Sequence, residues 1–175
     1  MQLSVVIITF NEEANIGRTL QSVQPLVSDG KGEIIVVDSG SSDRTVEIAK
    51  SFGAKVFVED WKGYATQKNS AIDKATGDWI LSLDADEELS DVAQGFLLDF
   101  FGSFGSGLRD SVRGVSLGRR NYFLGRWIKH GGFYPDRKVR LIPSGGGRFQ
   151  ERMVHEDIKL KDGQLIFNPS LHWSW

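Results

Sequence analysis

Continuous apolar runs alternate with helically spaced apolar positions along the first 88 residues. Four runs rich in β-branched or large apolar side chains predict strands at residues 3–10, 33–38, 56–58 and 79–83. Apolar residues three or four positions apart fill the intervals and predict helices. Regular alternation of strand and helix is typical of an α/β fold, in which a mostly parallel sheet is covered by helices on both faces.

The ends of the predicted helices carry capping signals. We expect Asn11 to cap the first helix, because Glu12 and Glu13 would then lie in its first turn, where the helix dipole favours acidic side chains. Gly53 is expected to end the second helix. Ser90 is expected to cap the helix that follows the fourth strand.

The second half of the sequence has a different pattern. Short strand candidates at residues 114–117 and 139–142 lie among turns rich in Gly, Pro and charged residues, which indicates a β-rich region. No internal repeat and no long linker divides the chain. We therefore expect a single domain, residues 1–175, whose two halves (1–88 and 89–175) differ in pattern.

Composition and charge exclude several classes of protein. The 21 basic and 23 acidic residues give a net charge of −2, without the basic excess of a nucleic-acid-binding protein. The absence of cysteine excludes disulfides, zinc–thiolate sites and cysteine nucleophiles, and fits a reducing cytoplasm. No apolar run approaches the ~20 residues that cross a bilayer, and the N-terminus lacks the pattern of a signal peptide.

Polar side chains follow three of the predicted strands directly, at residues 9–12, 38–40 and 84–86. Ligands of open α/β sheets bind beyond the carboxyl ends of the strands. Asp84 and Asp86 are separated by one small residue, and carboxylate oxygens are ligands that Mg²⁺ or Mn²⁺ shares with substrate phosphates. A solvated acidic turn is the alternative for this pair taken alone. The convergence of three strand ends favours a metal site.

Asp38 ends the second strand and precedes a Ser/Gly turn. At this place we expect its carboxylate to accept a hydrogen bond from a base or a ribose. The alternative is an Asx turn that caps the next helix, a role that suits Ser42 or Asp43. Gly40 alone is no dinucleotide fingerprint, so a nicotinamide cofactor is not expected.

Three segments resemble, in the same order, the nucleotide-binding half of family 2 glycosyltransferases: SVVIITFNEE from residue 4, IVVDSGSSDRT from residue 35 and WILSLDADE from residue 79. The resemblance covers residues 3–88. It implies the GT-A fold of nucleotide-diphospho-sugar transferases, a UDP-sugar donor, Mn²⁺ or Mg²⁺ as cofactor, and inversion at the transferred sugar.

The resemblance also implies roles for single residues. Asp86 would bind the metal, and His172 is a candidate second ligand, although a hydrogen-bonded structural histidine is the commoner case. A solvated helix face is the alternative for Lys68. The residues that would hold the donor are Thr9, Asn11, Glu12 and Asp38 for uracil and ribose, Lys68 for the diphosphate or the sugar, and Asp84 for the ribose or the donor.

Segments of the second half resemble the branch of lipopolysaccharide core β-1,4-glucosyltransferases: NYFLGRW from residue 121, GGFYPDRKVRL from residue 131 and VHE from residue 154. This implies UDP-glucose as donor, a lipid-linked saccharide acceptor such as the lipopolysaccharide inner core, and a cytoplasmic protein in peripheral contact with the inner face of the membrane. Phe123 stands where processive members carry a glutamine before Arg126 and Trp127, which favours addition of a single hexose.

Inversion in one displacement needs a carboxylate near the acceptor hydroxyl. By resemblance the base comes from an acidic pair, and the candidates in order of preference are Glu156, Asp157 and Glu151, each with a surface carboxylate as the alternative. A nucleotide-sugar-binding domain without turnover and a nucleotidyltransferase remain as other functions. The latter normally has a Gly-rich basic phosphate loop, which is not visible here.

The sequence ends in LHWSW, directly after a predicted strand. Two tryptophans at such an end would leave a large apolar surface exposed, which soluble monomers generally avoid. Either a partner chain covers this surface or a C-terminal segment has been removed. By resemblance, residues 89–175 form the acceptor-side half, and we expect this half to be truncated at its C-terminus, so that nucleotide binding survives while transfer to a lipid-linked acceptor is weak. The oligomeric state stays open.

Overall fold

The computed structural model of the chain describes residues 1–102, 111–120, 122–123, 126–127, 136–150, 157–161 and 164–174. The described helices are α1 Ile16–Val27, α2 Thr45–Ser51, α3 Tyr64–Asp73 and α4 Asp91–Gly102. The described strands are β1 Leu3–Thr9, β2 Gly32–Asp38, β3 Lys55–Val58, β4 Trp79–Asp84, β5 Glu88–Leu89, β6 Val112–Arg120, β7 Tyr122–Phe123, β8 Arg126–Trp127, β9 Asp136–Pro143, β10 Gly147–Gln150, β11 Asp157–Leu160 and β12 Gln164–Ser174.

Eight strands form one sheet in the order β3-β2-β1-β4-β9-β6-β12-β5. The first four are parallel, with Val5 of β1 opposite both Ile34 of β2 and Leu81 of β4. β9 runs antiparallel to β4 and β6, β12 runs parallel to β6, and β5 runs antiparallel to β12. The predicted α/β architecture with a mostly parallel sheet and a β-rich second half is confirmed.

The sheet has an apolar core on each face because side chains alternate along its strands. Val5 and Ile7 of β1 belong to the cluster that contains α1, α2 and α4. Val6 and Ile8 belong to the cluster on the other face, with α3 and the β10–β11 hairpin. Helices therefore cover both faces, as predicted. Among the described helices, none is long and apolar enough to span a membrane.

The start of α1 was predicted wrongly. The helix begins at Ile16, with Asn15 at the cap position, so Asn11 does not cap it. Asn11 has a φ of 53°, in the left-handed region that Asn adopts more readily than most residues. There its N–H donates to the Ser41 hydroxyl and its side-chain oxygen accepts the N–H of Ser42. Contacts with the loop after β2 thus override the local capping signal.

The other two helix-end predictions are confirmed. Gly53 follows α2 with a φ of 77°, a conformation that glycine adopts without strain and that ends a helix. The Ser90 hydroxyl accepts the N–H of Ala93 at 3.3 Å, directly before α4.

Glu33 ties the start of β2 to three neighbouring segments. Its carboxylate accepts hydrogen bonds from the Ser4 hydroxyl and from both the N–H and the hydroxyl of Thr76, at 2.7–2.8 Å, and from the Lys55 ammonium at 2.7 Å. Burial alone would raise the pKa of Glu33, but these hydrogen bonds outweigh it and lower the pKa to about 2, from an ordinary 4.5.

This low pKa predicts a pH-dependent stability. The ionised Glu33 stabilises the fold fully above the unfolded pKa near 4.5, and the contribution is lost as pH falls towards 2. We expect Glu33→Gln to lower the free energy of unfolding at pH 7 by about 3 kcal/mol, since one pKa unit corresponds to about 1.4 kcal/mol. Urea unfolding at pH 7 and pH 3 measures both effects. The control is Glu47→Gln, whose exposed pair with Arg44 contributes little; equal losses in the two variants would contradict the prediction.

Candidate functional site

A cavity of about 680 Å³ opens at the carboxyl ends of β1, β2 and β4, the edge where the sequence predicts ligand binding. This volume suits a small-molecule ligand. Three chemical groups line the wall: the aromatic rings of Phe10, Trp61 and Tyr64, the hydroxyls of Thr9 and Ser39, and the carboxylates of Glu12, Asp84, Asp86 and Glu87.

The aromatic and acidic groups come from different strand ends around the cavity. Trp61 and Tyr64 follow β3, and their rings meet edge to face at 4.8 Å. Asp84 and Asp86 follow β4, which is separated from β3 by β2 and β1 in the sheet order. The cavity therefore offers flat rings for stacking and carboxylates that can bind a cation.

The carboxylate of Asp38 accepts hydrogen bonds from the turn that follows it. One carboxylate oxygen accepts the N–H groups of Gly40 (2.9 Å) and Ser41 (2.8 Å), and the other accepts the Ser41 hydroxyl at 2.5 Å. The Ser41 hydroxyl in turn accepts the N–H of Asn11. Asp38 and Asn11 thus join the loops after β2 and β1, and the arrangement matches the Asx-turn alternative. Neither residue is among those that line the cavity.

Two residues that line the cavity have hydroxyls without a hydrogen-bond partner among the described residues. These hydroxyls are the buried oxygens of Thr9 and Ser39, at the ends of β1 and β2. A buried hydroxyl without a partner costs free energy, and a ligand that bonds to it removes that cost. The sequence predicts Thr9 as a donor-binding residue but does not single out Ser39, whose only signal is its position directly after Asp38.

Lys68 is buried in the site. Its side chain is 3% exposed, so the solvated-face alternative is wrong. The ammonium lies 2.7 Å from one carboxylate oxygen of Asp84 and 5.1 Å from the centre of the Phe149 ring. Helix α3 points Lys68 towards β4 because Ala65 and Ile72, at helical spacing, pack on the sheet.

Arg140 of β9 completes the charge network around Asp84. Its guanidinium lies 2.5 Å from a carboxylate oxygen of Glu87 and 3.5 Å from the second oxygen of Asp84. The other oxygen of Glu87 accepts the N–H of Asp84 at 3.0 Å. Neither Arg140 nor Glu87 was among the predicted site residues. An arginine inside the apolar strand candidate at 139–142 was the signal that a buried partner exists.

The charges of this network shift three pKa values. Burial opposes ionisation of Asp84, but Arg140 and Lys68 outweigh it and hold the pKa of Asp84 below its ordinary value. Burial raises the pKa of Glu87 to about 7, with Arg140 acting in the opposite direction and Asp84 adding to the rise. Burial also raises the pKa of Asp86, and the charges of Asp84 and Glu12 reinforce the rise.

The carboxylate of Asp86 suits a divalent cation. It is half-buried at the cavity wall, and its pKa is raised by burial and, in addition, by the charges of Asp84 and Glu12. Among the described residues, no group of three or more His, Cys, Asp or Glu side chains is arranged to hold a metal ion. Mg²⁺ and Mn²⁺ sites commonly use one or two carboxylates plus ligand phosphates. The residues present fit such a shared site.

The remaining predicted residues lie apart from this cavity or outside the described part of the chain. Asp157 begins β11 and pairs with the Lys138 ammonium at 3.1 Å, and it does not line the cavity. Glu151 and Glu156 lie outside the described residues. The backbone of His172 pairs with Gly118 in the sheet, and its side chain is outside the description.

Comparison with known proteins gives a match along most of the chain. The family model described as glycosyl transferase family 2 matches residues 4–158. The lipopolysaccharide core biosynthesis glycosyltransferase LpsC of Rhizobium meliloti is 32% identical over 164 residues, which cover 90% of this chain and 57% of LpsC. Three Rickettsia glycosyltransferases are 47–52% identical over 51–53% of this chain and 30% of their own length, so the match covers only part of each protein.

Solved structures share the fold. The mannosyltransferase PcManGT of Pyrobaculum calidifontis, in complex with GDP-Man and Mn²⁺, matches with a TM-score of 0.69 and 19% identity over 99% of this chain and 56% of its own. The glucosyl-3-phosphoglycerate synthase of Mycobacterium tuberculosis, in complex with Mn²⁺, UDP and glucosyl-3-phosphoglycerate, matches with a TM-score of 0.51 and 26% identity over 69% of this chain and 44% of its own.

Proposed function

Because the chain belongs to glycosyl transferase family 2 and has the GT-A fold, we propose that it transfers a single hexose from a UDP-sugar, with inversion and with a divalent cation. The observation that carries this proposal is the cavity itself. It combines aromatic rings, two residues whose hydroxyls lack partners among the described residues, and a carboxylate turn, in a volume that suits a small-molecule ligand.

The support for UDP comes from chemistry and from relatives. Thr9 and Ser39 offer hydroxyls to a base or ribose, and Trp61 and Tyr64 offer rings on which a base can stack. The mycobacterial synthase binds UDP with Mn²⁺, whereas PcManGT holds GDP-Man, so the fold alone does not decide the base. The UDP proposal therefore rests on the sequence resemblance together with this cavity.

Several charged or titratable residues have proposed roles in the reaction. Asp86 holds the cation, and Lys68 exchanges its contact with Asp84 for one with the donor diphosphate. A bound Mn²⁺ or Mg²⁺ offsets the negative charge that develops on the departing UDP. Glu156 accepts the proton of the acceptor hydroxyl, with Asp157 and then Glu151 as the other candidates, on the strength of the sequence alone. His172 stays a candidate metal ligand on the same basis.

The acceptor follows from the likeness to LpsC. LpsC is a lipopolysaccharide core biosynthesis glycosyltransferase, and we propose a lipid-linked saccharide of this kind as acceptor and glucose as the transferred hexose. A cytoplasmic protein in peripheral contact with the inner face of the membrane would reach such an acceptor.

The products of a reaction with UDP-glucose and Mn²⁺ test the function. We expect the chain to release UDP, slowly to water and faster when a saccharide acceptor is added. Release of pyrophosphate would indicate a nucleotidyltransferase. Tight nucleotide binding without any UDP release, from this chain and from a longer version, would indicate a binding domain. Either result overturns the proposal.

A further inference from the structure

Arg140 comes from the second half of the sequence, yet it lies against the turn that carries Asp84 and Asp86. β9 runs antiparallel to β4, with Leu81 opposite Leu141, so the residue before Leu141 lies towards the carboxyl end of β4. The Arg140 side chain is 5% exposed. Burying a guanidinium costs free energy unless carboxylates compensate its positive charge. The burial of Arg140 near the carboxyl end of β4 therefore calls for a structural explanation.

We propose that Arg140 is a positioning residue, which fixes the turn 84–87 so that Asp86 faces the cation and the donor diphosphate. This inference rests on the proposed function. Arg140 touches neither ligand; it acts through Glu87, whose second oxygen accepts the N–H of Asp84. The same guanidinium reaches the side chain of Asp84 at 3.5 Å. One residue of β9 thus holds the backbone and the side chain at the start of the turn.

The Lys68 ammonium contacts the other carboxylate oxygen of Asp84, at 2.7 Å. Asp84 is therefore held between two basic groups from different elements, α3 and β9. Among the described residues, Asp86 has no ion-pair partner of this kind, although it lies two positions further along. The geometry anchors the first carboxylate of the turn and leaves the second one open to the cavity.

The charges at this wall agree with the same assignment. Four carboxylates (Glu12, Asp84, Asp86 and Glu87) and two basic groups (Lys68 and Arg140) leave a formal charge of −2 when all are ionised. A divalent cation neutralises this charge.

Three variants separate positioning from mere stability. Arg140→Lys keeps the charge but replaces the flat guanidinium, one nitrogen of which contacts both carboxylates, with an ammonium on a shorter side chain. Arg140→Gln leaves Glu87 without its buried ion-pair partner, and the double variant Arg140→Gln with Glu87→Gln replaces both members of the pair by neutral amides. Thermal unfolding and calorimetry of Mn²⁺ and UDP binding are measured for each. The matched control is Arg148→Gln, whose exposed side chain pairs with Asp73 away from the cavity.

We expect Arg140→Lys to stay folded and to bind UDP with Mn²⁺ about 10- to 100-fold more weakly, the usual effect of losing a residue that orients a metal ligand. The double variant should recover the unfolding temperature without recovering binding, and Arg148→Gln should bind normally. Binding that returns together with stability, or full affinity in Arg140→Lys, would overturn the positioning role. Failure of the unaltered chain to bind UDP with Mn²⁺ would overturn the proposed function instead.

Discussion

Asp86→Asn is expected to abolish Mn²⁺-dependent UDP binding and to lower transfer about a thousandfold or more, while the chain stays folded. The variant loses the carboxylate that faces the cavity beside Asp84 and Glu12. A catalytic cation contributes several kcal/mol to the transition state, and each 1.36 kcal/mol is a factor of ten in rate. Folding survives because removing one of several like charges at this wall relieves repulsion.

The rate of UDP release measures the loss of transfer, and a thermal unfolding curve shows that the variant stays folded. Asp99→Asn is the control, because Asp99 is an exposed carboxylate on α4 and its loss should change neither quantity. A folded Asp86→Asn variant with near-normal turnover would show that the cation, if any, is held elsewhere.

Lys68→Met is expected to weaken UDP binding about 10- to 100-fold and to leave uridine binding nearly unchanged. The buried ammonium is the basic group placed to meet a diphosphate, and hydrogen bonds to charged groups contribute about 1.5–3 kcal/mol. Methionine keeps most of the apolar length of the side chain and loses only the ammonium, which also lies over the Phe149 ring.

Calorimetry with UDP and uridine checks this second prediction. The advantage of UDP over uridine should collapse in Lys68→Met and persist in Lys50→Met, which changes an exposed lysine at the end of α2. An equal loss for both ligands would mean that Lys68 only holds the site together through Asp84.

The features that the sequence predicted are those with local causes. Apolar runs predicted β1, β2 and β4, and their carboxyl ends located the cavity, because parallel strands end at one edge. The cap at Asn11 was wrong because partners some 30 residues away, in the loop after β2, hold that residue in the left-handed region. A capping signal is local and cannot register such contacts.

The charge network also could not be predicted from local sequence patterns. Arg140 meets Asp84 and Glu87 across more than 50 residues of sequence, and only the antiparallel pairing of β9 with β4 brings them together. The sequence left a solvated position as an alternative for Lys68, because helical spacing alone does not show which side of α3 packs on the sheet. Its burial follows from the β10–β11 hairpin, whose Phe149 lies beside it.

The binding of UDP, ADP and GDP, measured by calorimetry with and without Mn²⁺, tests the central claim most directly. A nucleotide site with hydroxyls at Thr9 and Ser39 and a cation at Asp86 predicts that UDP binds about tenfold or more tightly than the two purine nucleotides. It also predicts that removing Mn²⁺ weakens UDP binding strongly. Equal affinities for the three nucleotides, or UDP binding that is indifferent to Mn²⁺, would contradict a metal-dependent UDP-sugar transferase.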